Sequence, residues 1–440
     1  MSNEISFVHS WYGCAALVVF IIAYILVVLE EHTCFRKSKP VMLAAGIIWM
    51  IVGVAVYGTP QAKGVAEHFR HNLSEYAEIL LFLLVAMSYV NILTERNVFT
   101  ALHSRLERGG WTYRQLFWLT GIIAFFLSSV ADNLTAALLM GALVVAIGKN
   151  SKEFVAVTCV NVVVAANAGG AFSPFGDITT LMVWQEEKAT FFQFFHLFIP
   201  ALVMWLIPAY IMSFSVPLSV TKNVEGAEIV MLKRGAKRAM LLFVCTIATA
   251  VLGHNLLHLP PVYGMMFGLV YIKIFGYYLK IRSTEDIPFD VMRHIQELEW
   301  DTLLFFYGVI MSIGGLGYMG YLTWLSGVAY SDWTWFQFSH EVSITAANIG
   351  VGLLSSIVDN IPIMFAVLSM NPDMDLSQWL LVTLTAGVGG SLLSVGSAAG
   401  VALMAYKGSY TFFSHLRWTP VILIGYVASV VVHLFLNSNL

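Results

Sequence analysis

Two short runs place carboxylates among small polar residues inside otherwise apolar stretches. Ser128-Ser129-Val130-Ala131-Asp132-Asn133-Leu134-Thr135 interrupts the stretch 115–148 near its middle. Asn167-Ala168-Gly169-Gly170-Ala171-Phe172-Ser173-Pro174-Phe175-Gly176-Asp177-Ile178-Thr179-Thr180 interrupts the stretch 154–185. An ionised Asp at mid-bilayer costs roughly 2.5–3.5 kcal/mol on insertion scales, so a purely structural role explains Asp132 poorly. Ser and Asn beside it are explained equally well as caps of a hairpin's second helix. In the second run, Gly169, Gly170, Pro174 and Gly176 rule out a continuous helix. The unwound backbone exposes carbonyls, and a half-helix starting near Asp177 turns its N-terminus toward the gap. Asp177 is then a helix cap, a ligand or both.

Related runs occur in the second half of the chain. Ser355-Ser356-Ile357-Val358-Asp359-Asn360 is followed by Pro362, so Asp359 and Asn360 read as ligands or as a proline-assisted break. Gly389 to Gly400 carries Ser391, Ser394 and Ser397. Hydroxyls and freed carbonyls suit a dehydrated hard cation, whereas Gly and Ser alone also make good helix-packing faces. The sign of the charges narrows the cargo. Asp132, Asp177 and Asp359 lie in the breaks, and none of the four interrupted stretches contains Lys, Arg or His. Three carboxylates repel an anion, so a small cation is expected. Asn161 and Asn348 read as helix–helix hydrogen bonds. Glu95, beside Arg96 at an inner span end, reads as an interfacial pair and a candidate for pH sensing.

The elements that position these runs follow from composition. Of 440 residues, 58% are hydrophobic and 11% charged, against about a quarter charged in soluble proteins. A soluble enzyme, a disordered scaffold and a nucleic-acid-binding module are excluded. Cys14, Cys34, Cys159 and Cys245 show no CxxC spacing, so no disulfide framework or zinc site is expected. Full-length spans are expected near 12–29, 41–58, 75–93, 198–215, 239–257, 261–278, 303–323 and 418–436. The first lacks a basic flank before it and a cleavage site after it, so it is expected to remain as a membrane helix. Segments 96–113, 188–197, 332–341 and 408–416 mix aromatic and polar residues, as interfacial segments do.

The Lys and Arg residues set the orientation. With the N-terminus outside and 115–148 and 343–370 as re-entrant hairpins, only Lys63, Arg70 and Lys188 of 23 basic residues fall outside. The basic linker 216–238 separates two halves, 1–215 and 239–440, that carry matching runs. Glu78-Ile-Leu-Leu-Phe and Asp301-Thr-Leu-Leu-Phe each open a span. Ser128 to Asn133 matches Ser355 to Asn360, and Gly169 to Gly176 matches Gly389 to Gly396. The expected fold is an all-α polytopic membrane protein of two inverted-topology repeats. Each has three spans, a re-entrant helical hairpin, a broken helix and a final span. Such repeats point to a secondary transporter with its site at the midplane.

The Asp132-Asn133 run followed by the Asn167 to Thr180 run resembles the NhaD-type sodium/proton antiporters. These belong to an ion-transporter superfamily that also holds arsenite and divalent-anion/sodium symporters. The resemblance covers nearly the whole chain. It implies exchange of Na⁺ or Li⁺ for H⁺ in a bacterial inner membrane, with no cofactor. It makes Asp132, Asn133, Asn167, Asp177, Thr179 and Thr180 essential, with Ser355, Asn360, Ser394 and Ser397 as the matching set. It also implies a homodimer whose transport domain moves against a scaffold, with lipids as the other partners. A Na⁺-coupled symporter of a small organic or oxyanion substrate is the alternative within transport. An intramembrane enzyme using Asp132 and Asp177 as a carboxylate pair is the alternative outside it, and the duplication argues against it.

Overall fold

The computed structural model describes residues 6–30, 35–107, 109–148, 151–219, 230–282, 290–330, 340–404 and 410–440. The expected interfacial segment 332–341 lies almost wholly outside the described residues, as do the centre of the linker 216–238 and the basic residues Arg108, Lys149, Lys222 and Lys407. In chain order the helices are α1 (Trp11–Val28), α2 (Ser38–Ala55), α3 (Ala62–Glu95), α4 (Val98–Glu107), α5 (Tyr113–Ala131), α6 (Asn133–Ile147) and α7 (Lys152–Gly170). Then come α8 (Ile178–Gln185), α9 (Phe198–Ser213), α10 (Ala236–Leu257), α11 (Pro261–Arg282), α12 (Val291–Gln296), α13 (Trp300–Tyr318) and α14 (Tyr321–Ala329). The last are α15 (His340–Leu354), α16 (Asn360–Met370), α17 (Leu376–Gly389), α18 (Ala398–Met404), α19 (Phe412–Leu416) and α20 (Thr419–Asn437). Among the described residues, ten helices are long and apolar enough to cross a membrane. The chain is a multi-pass, all-helical membrane protein.

Two span boundaries differ from expectation. The span read as 75–93 belongs to a helix of 34 residues beginning at Ala62. At 1.5 Å per residue it is about 51 Å long, well beyond a 30 Å hydrocarbon core. Its first third is polar but made of good helix formers, which hydropathy cannot distinguish from a loop. Glu78 is therefore mid-helix, whereas Asp301 does lie in the first turn of α13. The span read as 303–323 stops at Tyr318, because Gly320 takes the left-handed backbone (φ 91°) that few other residues adopt cheaply and starts a new helix.

The chain divides into two compact units. One comprises residues 1–80, 299–347 and 361–374. In it α2 packs between α1 and α13 over Ile48, Val52 and Met311, and Trp49 Nε1 donates to the Met311 carbonyl at 2.8 Å. The other comprises residues 81–298, 348–360 and 375–440 and holds both broken helices.

Within the second unit, α7 is almost wholly buried against α5, α6 and α9. Local signals set the helix starts. Thr112 and Gln115 form a reciprocal capping box at α5, Ser151 caps α7, and Asp375 Oδ1 accepts from Gln378 N at 2.8 Å at α17. α5 and α6 meet at Asp132 and pack side by side, as the expected hairpin requires. The unwound segment 171–177 lies between α7 and α8. The segment 390–397, with one 3₁₀ turn at Ser394–Gly396, lies between α17 and α18. The first is where Gly169, Gly170, Pro174 and Gly176 place it, and the second where Gly389 to Gly396 match that run. The two breaks are also built alike. Ser128 Oγ donates to the Ala166 carbonyl at 2.6 Å, and Ser355 Oγ to the Ala386 carbonyl at 2.7 Å. A side chain at Gly169 would run into the Phe125 carbonyl, and one at Gly389 into the Gly352 carbonyl. Glycine at these positions lets the α5 backbone lie directly against α7 and the α15 backbone directly against α17.

Candidate ion-binding site

Asp177 ends the first unwound segment and caps α8, its Oδ1 accepting from Thr179 N at 3.2 Å. It is 5% exposed. Two further donors reach it from the starts of α6 and α16. Asn133 Nδ2, at the start of α6, donates to Oδ2 at 3.3 Å. Asn360 Nδ2, at the start of α16, donates to Oδ2 at 2.9 Å and to Oδ1 at 3.2 Å. Asn133 Nδ2 also donates to Asn167 Oδ1 at 3.2 Å, and Asn167 Nδ2 donates to Ser391 Oγ at 2.9 Å. One carboxylate thus collects amides from the starts of two helices far apart in sequence, and its neighbour Asn167 bridges to the second unwound segment. Asp359 lies within electrostatic reach of Asp177.

The other expected residues divide by what their side chains touch. Asp132 caps α6, Oδ1 accepting from Thr135 N and Oδ2 from Thr135 Oγ1, both at 2.8 Å. Its backbone (φ 57°, ψ 159°) lies in a region that glycine alone adopts readily, a strain of order 1–3 kcal/mol at the hairpin tip. Thr180 Oγ1 braces the first break through the Ser173 and Asp177 carbonyls, at 2.8 and 2.7 Å. Ser397 caps α18, its Oγ accepting from Gly400 N at 3.2 Å. Ser355 holds the Ala386 carbonyl, as above. Ser394 Oγ is buried with no hydrogen-bond partner among the described residues. A buried hydroxyl left unpaired costs roughly 1–3 kcal/mol unless a ligand or ion completes it.

Asn161 and Asn348 behave as helix–helix links. Asn161 donates to the Phe117 carbonyl and accepts from Trp205 Nε1, both at 2.9 Å, and Asn348 donates to Gln378 Oε1 at 2.9 Å.

The chain matches a family model described as a citrate transporter over residues 15–389. It is 52% identical to the Na⁺/H⁺ antiporter NhaD of Vibrio cholerae, over 99% of this chain and 94% of that one. It is also 52% identical to the Na⁺/H⁺ antiporter NhaD of Alkalimonas amylolytica, over 97% and 91%. The chain belongs to the NhaD family. Sodium/proton antiporter 1 of Arabidopsis thaliana is a more distant relative, 29% identical over 98% of this chain and 74% of that one. Family membership bears out the resemblance carried by the Asp132-Asn133 and Asn167 to Thr180 runs.

Two features of this NhaD-family chain escape a linear reading. Gly387 sits on α17 where a methyl group would lie 3.7 Å from Asp177 Oδ2 and 3.8 Å from Thr179 Oγ1. Its missing side chain keeps space open beside the carboxylate, and only the three-dimensional crossing shows it. Glu95 belongs to a separate cluster. Its Oε1 accepts from Arg96 Nη2 at 3.0 Å and its Oε2 from His294 Nε2 at 2.7 Å, with Arg96 and His294 2% and 4% exposed. His294 lies 199 residues from Glu95, so no spacing rule could pair them.

Proposed function

We propose that this chain is a secondary active transporter exchanging Na⁺, or Li⁺, for H⁺, with Asp177 as the group the two ions share. The observation that carries the reading is the single buried carboxylate held by Asn133 and Asn360 from the starts of α6 and α16. An ionised Asp177 can accept Na⁺ or a proton but not both. Neutral oxygens complete a Na⁺ shell, and Ser394, Ser397, Thr179, Asn133, Asn167 and Asn360 are the assigned contributors. Asp132 and Asp359 supply the negative field at the tips. Thr180 and Ser355 hold the breaks in shape. The relatives, named Na⁺/H⁺ antiporters, support the same exchange. Na⁺ and H⁺ are then cargo, and neither catalysis nor a cofactor is called for. The two halves act as inverted repeats, and alternating access proceeds by an elevator-type movement of both hairpins and both broken helices. The protein resides in a bacterial inner membrane as a homodimer contacting lipid, with both termini outside.

The family model's description raises a second reading, Na⁺-coupled uptake of an organic anion. Asp177 with Asp359 nearby disfavours it, since both would repel such a substrate. Purified protein in vesicles with an imposed ΔpH and no organic solute separates the two. Collapse of ΔpH on adding Na⁺, lost in Asp177→Asn, is the expected result. No response to Na⁺ unless citrate is added would overturn the exchange reading.

A further inference from the structure

The second unwound segment is held by a buried histidine from outside it. His415, on the short helix α19, is fully buried, and its Nε2 donates to the Ser391 carbonyl at 2.8 Å. Tyr410 Oη donates to His415 Nδ1 at 2.8 Å. That pair of bonds fixes one neutral tautomer, with the proton on Nε2. Burial favours the same neutral form, pushing the His415 pKa down to about 4. The next carbonyl, Leu392, accepts from Thr419 Oγ1 at 2.7 Å. Two successive carbonyls freed by the unwinding are therefore capped by side chains from the segment 410–419. A second buried histidine, His433, donates from Nε2 to the Ser377 carbonyl near the other end of α17. The first break is held differently. Phe172 packs there against Phe125 and Phe198, at centroid distances of 5.4 and 5.2 Å.

The residue that His415 holds is the one that reaches the site. Ser391 Oγ accepts from Asn167 Nδ2, Asn167 Oδ1 accepts from Asn133 Nδ2, and Asn133 Nδ2 donates to Asp177. We propose that His415 is a positioning residue for ion binding. By fixing the Ser391 backbone it sets the orientation of Asn167, and through it the amides around Asp177. The proposal rests on the exchange reading above and adds to it a residue that touches neither ion.

The test measures Na⁺- and Li⁺-driven ΔpH collapse in vesicles for wild type, His415→Phe, His415→Gln, Tyr410→Phe, Ser391→Ala and the His415→Phe/Ser391→Ala double variant. Loss of one buried hydrogen bond corresponds to about threefold to tenfold in an equilibrium constant. His415→Phe should raise the KM for Na⁺ by about that factor and alter the Na⁺/Li⁺ preference, with the maximal rate little changed. His415→Gln, whose Nε2 keeps a donor at similar reach, should recover most of the affinity. Tyr410→Phe should raise KM by a smaller factor. The double variant should be no worse than the stronger single, since both changes break one chain. Multiplying effects would overturn the proposal, as would a lowered rate with unchanged KM and Na⁺/Li⁺ ratio. If His415→Phe does not fold, His415→Gln and Tyr410→Phe decide: wild-type KM in Tyr410→Phe, or a KM in His415→Gln raised more than in Ser391→Ala, counts against it. Wild type that fails to collapse ΔpH refutes the exchange reading instead.

Discussion

Replacing Asn360 with Ala removes the strongest neutral support of the Asp177 carboxylate. Its amide reaches both oxygens, at 2.9 and 3.2 Å, in a buried setting. A hydrogen bond to a charged group contributes about 1.5–3 kcal/mol net. Asn133 and Thr179 N remain, so the lower end applies, and about 1.4 kcal/mol corresponds to one pH unit. The sign follows from which form the amide favours. It favours the ionised carboxylate, the form that takes Na⁺, so losing it strengthens proton binding relative to wild type. The pH of half-maximal exchange at fixed subsaturating Na⁺ should move toward alkaline by about one unit. Asn133→Ala should move it by less, because its 3.3 Å contact is longer and its amide is shared with Asn167. The assay is Na⁺-driven ΔpH collapse in proteoliposomes at a series of set pH values. Loss of the Asn360 oxygen from the Na⁺ shell raises KM by the same factor at every pH, so the displacement of the profile reports the separate effect of its amide on the carboxylate. Profiles that do not shift in Asn360→Ala, or that shift more in Asn133→Ala, would refute the reasoning.

Other substitutions test separate parts of the site. Gly387→Ala places a methyl group 3.7 Å from Asp177 Oδ2, an ordinary contact; it should fold normally but raise the KM for Na⁺, and an unchanged KM would mean the cation does not use that space. Asp132→Asn keeps a capping oxygen for Thr135 while removing the charge; exchange should be lost with expression and thermal stability close to wild type. Ser394→Ala should raise KM more than it lowers the maximal rate, since a neutral oxygen is lost and the proton-carrying group is kept. Gly389→Val drives a side chain into the Gly352 carbonyl, and overpacking of this kind costs about 1–3 kcal/mol, so a lowered melting temperature in detergent is expected.

The first break was legible because a Gly/Pro/Asp run in an apolar stretch cannot stay helical, and 171–177 is unwound. The second, 390–397, has only Gly and Ser to break the helix, residues that also suit a packing face, and was legible through its match to the first. Helix ends were less legible. Hydropathy reports where a helix meets lipid, so the polar first third of α3 looked like a loop, and the left-handed Gly320 that divides 300–329 carries no hydropathy signal. The site residues were recognisable by type but their arrangement was not. Asn133 and Asn360 converge on Asp177 from 44 and 183 residues away, and the capping bonds of Asp132 depend on a backbone conformation that no spacing reveals. His294 and His415 were invisible for a related reason. Each owes its significance to a partner on another element, Glu95 for one and the Ser391 carbonyl in the second unwound segment for the other.

Sharing of Asp177 between Na⁺ and H⁺ is tested most directly by the KM and maximal rate for Na⁺ at several fixed pH values in proteoliposomes. Below the pKa of the carboxylate, KM should rise about tenfold for each unit fall in pH if one proton is displaced, and more steeply if two coupled groups titrate. The maximal rate at saturating Na⁺ should change far less over the same range. A KM that stays constant while the maximal rate falls would contradict competition and place the pH response away from Asp177, with the Glu95–Arg96–His294 cluster as the next group to test.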